Sequence, residues 1–448
     1  MFDQNMLSQL QDVTGFMSTA NNQPLFSKTQ PQASEAPTST ANDLTIYVTT
    51  SFGMEAIASR ELQNLGYTDI KTETGNLRFQ GDLLAVCRCN LWLRTAERVF
   101  IEVGRFPAED FGVLFDGTTE LPWEKYIPEK AEVPVLARSV RSQLTSTPHI
   151  QSIVKKAIVS RLLKKYGGTF FDESGPMHRV ECVLQNNEVQ LLLDTSGDGL
   201  HKRGYRAHAG AAPLKETMAA GMVMLSYWDR DRLLVDPFCG SGTILIEAAL
   251  IGRNMAPGAF RAFAAEYWPL IPRTLWHQAR QEVRDKALSR IDLTLQGYDN
   301  DPFVLKVARE NAQLAGVDMD IHFQQRDVAQ LSTSQKYGVL ITNPPWGERI
   351  ADQEVAEDLT ITLTKQTSTW DTWSIYVLSA LRHFERLFGQ KADRRRKLYM
   401  GRIECTYYQY LGPKPPLKKV IATSEETSSS MTDSVENATP EQTSGDVE

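Results

Sequence analysis

The residues best suited to chemistry stand in the second half of the chain, each at the end of an apolar run. LLVD leads into Asp236-Pro237-Phe238-Cys239-Gly240-Ser241-Gly242-Thr243. LTLQGYD ends at Asp299-Asn300, DIHFQQRD ends at Asp327-Val328, and YGVLIT ends at Asn343-Pro344-Pro345-Trp346. Gly240 and Gly242 permit a sharp turn and bring backbone amides close to a ligand. The helix that follows offers unpaired N–H groups and a positive dipole end. Two common nucleotide ligands are poor matches. The dinucleotide fingerprint lacks its third glycine, because Leu245 stands there, and no Gly-Lys-Ser or Gly-Lys-Thr of a P-loop is present. Asp236 before the turn suits a cation better than a phosphate, and a sulfonium carrying an amino-acid ammonium group fits. Asp299 can accept two ribose hydroxyls, and Asp327 an adenine amino group. Singly, Asp299 and Asp327 read as turn or cap residues, and Asn-Pro-Pro-Trp as a strand terminator. In succession at four strand ends, they read as one pocket on the side where open α/β sheets bind ligands.

The elements that position these residues alternate strand and helix from about Ala209. AAPLKETMAAGMVMLSYW and VLKVARENAQLAG have helical spacing, and the strands between them are short apolar runs. This predicts a Rossmann-like, doubly wound α/β domain over 206–413. The Trp- and Pro-bearing stretch from Arg253 to Arg290 lengthens the path from Asp236 to Asp299 and reads as an insertion. Upstream, 43–106 has the β-α-β-β-α-β order of a ferredoxin-like α+β domain. A further unit, 107–205, centres on a helix from Pro148 to Tyr166 with Thr147 as its cap. A hairpin follows at Asn186-Asn187. Residues 1–42 and the acidic tail, 414–448, are polar, lack apolar periodicity and read as disordered.

The net charge is −7, but its distribution matters more than its sum. From Ile421 onward there are seven acidic residues and no Lys or Arg, so the rest of the chain is balanced. Between Ala137 and Thr169 stand Arg138, Arg141, Lys155, Lys156, Arg161, Lys164 and Lys165, with no Asp or Glu among them. HKRGYR adds Lys202, Arg203 and Arg206. A helix of this kind can be a solvated face. The missing acidic partners favour one that neutralises phosphates of RNA or DNA. KADRRRKLYMGR, from Lys391 to Arg402, is a second basic stretch, read either as another RNA contact or as a solvated turn.

The constellation resembles a class I S-adenosylmethionine methyltransferase acting on an exocyclic amino group, in which an (Asp/Asn/Ser)-Pro-Pro-aromatic motif holds the target nitrogen. An exocyclic amine is a poor nucleophile because its lone pair is delocalised. The Asn343 side-chain oxygen and the Pro344 carbonyl can each accept one of its N–H bonds and aim that lone pair. Pro345 has no N–H to spend, and Trp346 can stack on an extracted base. HKRGYR, APLKET, DPFCGSGT and NPPWGER in this order, behind a ferredoxin-like unit and a basic unit, are similar to the THUMP-domain RNA methyltransferases. Within them the chain resembles the RlmL-type enzymes that make N2-methylguanine in 23S rRNA. The resemblance covers roughly Leu44 to Pro413 and makes 107–205 a THUMP RNA-binding domain. It implies S-adenosylmethionine as cofactor, Ala212, Pro213 and Leu214 near its methionine end, and Asp236 to Thr243 around it. It further implies Asp299-Asn300 at the ribose, Asp327-Val328 at the adenine, and no metal. Trp346 replaces the more usual Tyr. No second methyltransferase domain is expected after YYQYLGP. Guanine in tRNA and adenine N6 in DNA or RNA stay open as substrates. An RNA-binding assembly factor without catalysis is disfavoured by the intact Asp236, Asp299, Asp327 and Asn343.

Other classes are excluded by composition. No apolar run approaches a membrane span, and the N-terminus lacks a secretory pattern. Five scattered cysteines form no CxxC pair, which speaks against a structural zinc site and for a reducing, cytoplasmic setting.

Overall fold

The computed structural model describes residues 44–206, 214–289, 291–346 and 350–416. Ala212 and Pro213, both extended termini and Gly347 to Arg349 lie outside the described residues.

The N-terminal half begins with β1 (Leu44–Thr50), α1 (Glu55–Asn64), β2 (Lys71–Glu73), β3 (Asn76–Gly81), α2 (Leu83–Trp92) and β4 (Ala96–Pro107). Asp82 caps α2 by accepting from the Ala85 amide at 2.7 Å. Next come α3 (Phe111–Glu120), β5 (Val135–Val140), α4 (Thr147–Tyr166), β6 (Val180–Gln185) and β7 (Glu188–Asp194). The cap of α4 is Ser146, one residue earlier than expected, and its end is Gly167 at φ 85°. Asn186 and Asn187 take φ 53° and 64°, as a two-residue hairpin turn requires. The two units are not separate layers. Pairing of β4 with β7 fuses them into one seven-stranded sheet, β2-β3-β1-β4-β7-β6-β5.

The C-terminal half contains α5 (Glu216–Leu225), β8 (Leu234–Asp236), α6 (Thr243–Gly252), α7 (Arg273–Lys286), β9 (Leu295–Asp299), α8 (Pro302–Leu314), β10 (Ile321–Gln325) and β11 (Val339–Thr342). It is completed by α9 (Ile350–Thr367), β12 (Ser374–Ser379), α10 (Phe384–Leu387), β13 (Arg394–Met400) and β14 (Ile403–Tyr410). Its sheet runs β10-β9-β8-β11-β12-β14-β13, parallel from β10 to β12 and antiparallel beyond. The strand order reverses between β8 and β11. A crevice therefore opens at their carboxyl ends, where helices leave on opposite faces.

The stretch from Arg253 to Arg290 is more than an inserted loop. It straps the two halves together. Helix α7 packs on α2, with Glu282 gripping Arg88 through two hydrogen bonds of 2.8 and 2.9 Å. Trp268 is buried, stacks on His178 at 4.5 Å and donates its indole N–H to the Met177 carbonyl. Sequence spacing shows the extra length but not what the segment leans on.

Candidate active site

Strands β8 and β11 are neighbours, so Asp236 and Thr342 meet at the switch point. The Thr342 hydroxyl donates to Asp236 Oδ1 at 2.6 Å, and the Phe238 amide donates to the same oxygen at 3.2 Å. Asp236 is only 1% exposed. Burial raises its carboxyl, the two hydrogen bonds pull it part of the way back and the nearby Asp299 charge adds a further upward push, leaving it at about 7. Beside this pair stands Asn343. Its side-chain oxygen is buried and has no hydrogen-bond partner among the described residues. An orphaned buried acceptor costs about 1–3 kcal/mol and marks a place where a donor belongs. Pro344 is buried, Pro345 is exposed, and Trp346 is half-buried. The Trp346 indole N–H is fixed on the Leu378 carbonyl at 3.2 Å.

The glycine turn lies directly ahead of α6. Gly240 (φ 53°) and Gly242 (φ 81°) occupy the left-handed region. A Cβ on Gly240 would meet nothing within 4 Å, so that side of the turn is open space. A Cβ on Gly242 would strike the Phe323 ring at 2.9 Å, so this second glycine serves packing. Pro237, Cys239 and Thr243 are buried, and Phe238 and Ser241 are half-buried. Cys239 donates its amide to the Tyr298 carbonyl, holding the turn against β9.

The other two carboxylates are partly committed to backbone. Asp299 accepts from the Gly240 amide and the Asp301 amide, both at 3.0 Å. An ionised carboxylate has about four acceptor sites, so roughly two remain for hydroxyls. Asp299 thus also sets the shape of the glycine turn, a role not visible in the sequence. Asp327 is exposed and caps the short turn at Val328–Gln330 through the Ala329 amide at 2.8 Å. Its second oxygen carries no hydrogen bond among the described residues. Asn300 is exposed and Val328 buried.

The HKRGYR segment departs from expectation. Lys202 is exposed, but Arg203 is 3% exposed and sits between Glu247 and the carbonyls of Leu200 and Arg94. Arg206 donates to the Leu214 carbonyl at 3.0 Å and to Thr243 Oγ1 at 3.1 Å, and pairs with Glu216 at 3.0 Å. Neither faces an RNA surface. Arg203 ties the N-terminal half to α6, and Arg206 braces the start of α6 just after the glycine turn. Buried arginine and exposed arginine look alike in a sequence, so the pattern gave no signal. Glu97 completes the junction. It accepts from Ser51 and Thr217 at 3.0 Å and pairs with Lys215 at 3.2 Å. Burial raises its pKa, but His201, Lys215 and the two hydroxyls outweigh this and bring it to about 2.

Two further basic residues find acidic partners outside the acid-free window. Arg161 is held by Glu124 in a fork of 2.7 and 3.0 Å, and Lys155 pairs with Glu173. Arg138, Arg141, Lys156, Lys164 and Lys165 are exposed. The basic face is therefore smaller than the linear count implies, yet real. Among the described residues no group of three or more His, Cys, Asp or Glu could hold a metal, and no helix is long and apolar enough to cross a membrane.

Family models match three consecutive parts of the chain: an RlmL ferredoxin-like domain over 45–100, a THUMP domain over 108–194 and an RMKL-like methyltransferase domain over 203–409. "Putative RNA methyltransferase YpsC" of Bacillus subtilis (strain 168) is 44% identical, over 84% of this chain and 98% of its own length. The chain belongs to the THUMP-domain RNA methyltransferases. "Ribosomal RNA large subunit methyltransferase K/L" of Syntrophotalea carbinolica is 33% identical over 80% of this chain, which spans only 52% of that longer relative. A solved structure from Listeria monocytogenes, called a "predicted N6-adenine-specific DNA methylase", is 46% identical. It covers 83% of this chain and 97% of its own, with a TM-score of 0.80. A crystal structure called "SMU.472, a putative methyltransferase complexed with SAH" is 39% identical, covering 84% of this chain and all of its own, with a TM-score of 0.80. This THUMP-family enzyme uses S-adenosylmethionine. The open side of Gly240, the buried Asp236 carboxyl and the spare acceptor sites of Asp299 suit that cofactor's cationic and hydroxyl groups.

Proposed function

We propose that the enzyme methylates the exocyclic 2-amino group of a guanine in 23S rRNA, forming N2-methylguanosine. The observation that carries this reading is the buried Asn343 Oδ1 at the end of β11, which has no partner among the described residues. Asn343 Oδ1 accepts one N–H of the target amine and the Pro344 carbonyl accepts the other. Together they hold the nitrogen lone pair in one direction, a positioning effect. Trp346, anchored on Leu378, presents a ring face to the extruded base. S-adenosylmethionine, when bound, supplies an electrophilic methyl group. Asp236, the 238–243 turn, Asp299-Asn300 and Asp327-Val328 orient that donor, with Ala212, Pro213 and Leu214 assigned to its methionine end. Arg138, Arg141, Lys156, Lys164, Lys165 and Lys202 contact RNA phosphates. Five unpaired cysteines favour a reducing, cytoplasmic compartment.

The name of the Listeria neighbour favours a second reading, adenine N6 in DNA. Against it stands the N-terminal half, where a THUMP model matches and the exposed lysines of α4 lie. The test is transfer of labelled methyl from S-adenosylmethionine to naked 23S rRNA, tRNA and DNA in separate reactions. Label in 23S rRNA supports the proposal. Label confined to DNA or to tRNA sinks it.

A further inference from the structure

A cleft of about 290 Å³ opens against Trp346. Its floor is apolar: Trp346 from the end of β11, with Ala380 and Leu381 just beyond β12. Its rim is Arg382, His383 and Ile403, the last standing 40% exposed at the start of β14. Ser379 pairs with Thr406, so the turn holding Ile403 and the exposed Arg402 projects past the carboxyl end of β12, over the cleft. The size is near the lower end of small-ligand pockets, roughly 300–1,000 Å³, which admits one ring system and not a folded helix.

Several cations around the cleft have no acidic partner among the described residues. Glu357 is bound to His383 at 2.9 Å, Glu404 to Lys397 at 2.8 Å, and Glu385 to Arg395 at 2.6 Å. Arg382, Arg386 and Arg402 are exposed and have no carboxylate partner among the described residues. The three acids are committed to other side chains. Although Glu354 beside the lining residue Gln353 is exposed, guanidinium groups without a carboxylate partner among the described residues stand above an apolar floor. Such a floor stacks a base, and such a rim holds a phosphate.

We infer that this cleft is a subsite for the unpaired nucleotide next to the target base, its ring against Leu381 and Ile403 and its phosphate on Arg382 and Arg402. The inference rests on the proposed extrusion of a base at Trp346. A base leaves its helix only with local unpairing, which frees its neighbour as well. None of the residues lining the cleft belongs to the Asp236–Thr342 pair or the glycine turn, which keeps this nucleotide clear of the proposed methyl donor.

The test uses the full chain and a short single-stranded oligoribonucleotide, with binding read by fluorescence anisotropy over a range of salt. Arg382→Glu should weaken binding about tenfold, and the slope of log K against log salt should shrink by about 0.7 for the lost phosphate contact. Affinity for S-adenosylmethionine, read by calorimetry, should not change. Arg382→Lys should restore the salt slope. Ile403→Asp should weaken the single strand more than a duplex of the same sequence. An unchanged salt slope in Arg382→Glu, or equal loss for duplex and single strand, overturns the subsite. Wild-type protein that binds the oligonucleotide through Arg382 yet methylates no RNA would instead defeat the proposed reaction and leave the subsite standing.

Discussion

Asn343 and Asp236 stand at the ends of neighbouring strands, and the hydroxyl of Thr342, the residue before Asn343, donates to Asp236. Asn343→Ala removes an acceptor without touching the turn around the donor. Turnover should fall by at least about a hundredfold, while calorimetry shows S-adenosylmethionine affinity within about twofold of wild type. Asp236 makes a pH-dependent prediction. Its folded pKa of about 7 lies above the ordinary 3.8. Between those values the folded state keeps a proton that the unfolded chain releases. Stability of the ligand-free protein therefore falls as pH rises from about 4 to about 7, then levels off. A cationic ligand favours the ionised form, so affinity for S-adenosylmethionine should climb as pH rises through about 7. Asp236→Asn should abolish that climb and weaken binding, which titration calorimetry at several pH values checks. These two residues stood out in the sequence as candidates because their motifs stand, with Asp299 and Asp327, at successive strand ends; Asn-Pro-Pro-Trp alone would read as a strand terminator. Arg206 was not legible. Only its burial against Glu216 and Thr243 separates it from a surface charge.

At the scale of elements, the alternation of strands and helices in the second half was readable because each parallel strand is a short apolar run. The ferredoxin-like order was readable for the same reason. What periodicity does not carry is which elements of distant units pair. The β4–β7 ladder that fuses the first sheet and the strap from Arg253 to Arg290 both depend on such contacts. The strap makes a direct prediction. Trp268→Ala should cost about 3–5 kcal/mol of stability in urea unfolding. Burial lowers His178 to about 4, so the same variant should let it titrate closer to its ordinary range, as NMR would show. The junction at Glu97 behaves oppositely to Asp236. Its pKa is depressed to about 2, so its contribution is present above about 4.5 and lost as pH falls toward 2. Glu97→Gln should lower stability near neutral pH by up to about 3 kcal/mol and flatten the acid limb. An unchanged limb would remove Glu97 as a tie between the halves.

For the whole molecule, net charge says little and local charge says more. The acid-free window from Ala137 to Thr169 falls within the stretch that matches a THUMP domain. It also overcounted, because Glu124 and Glu173 reach in from other segments to hold Arg161 and Lys155. The free lysines Lys156, Lys164 and Lys165 are the better probes. Reversing Lys164 and Lys165 together should weaken rRNA binding and reduce its salt dependence, leaving cofactor affinity unchanged. On the proposed reading, the first sheet meets RNA, the strap and buried junction tie the two halves together, and the switch point of the second sheet receives donor and acceptor. The most direct test of this account is to methylate 23S rRNA with the wild-type enzyme and with Asn343→Ala, digest both, and identify the modified nucleoside by mass spectrometry. The account predicts N2-methylguanosine from the wild type and none from the variant. N6-methyladenosine, or N2-methylguanosine in equal yield from both, would contradict it.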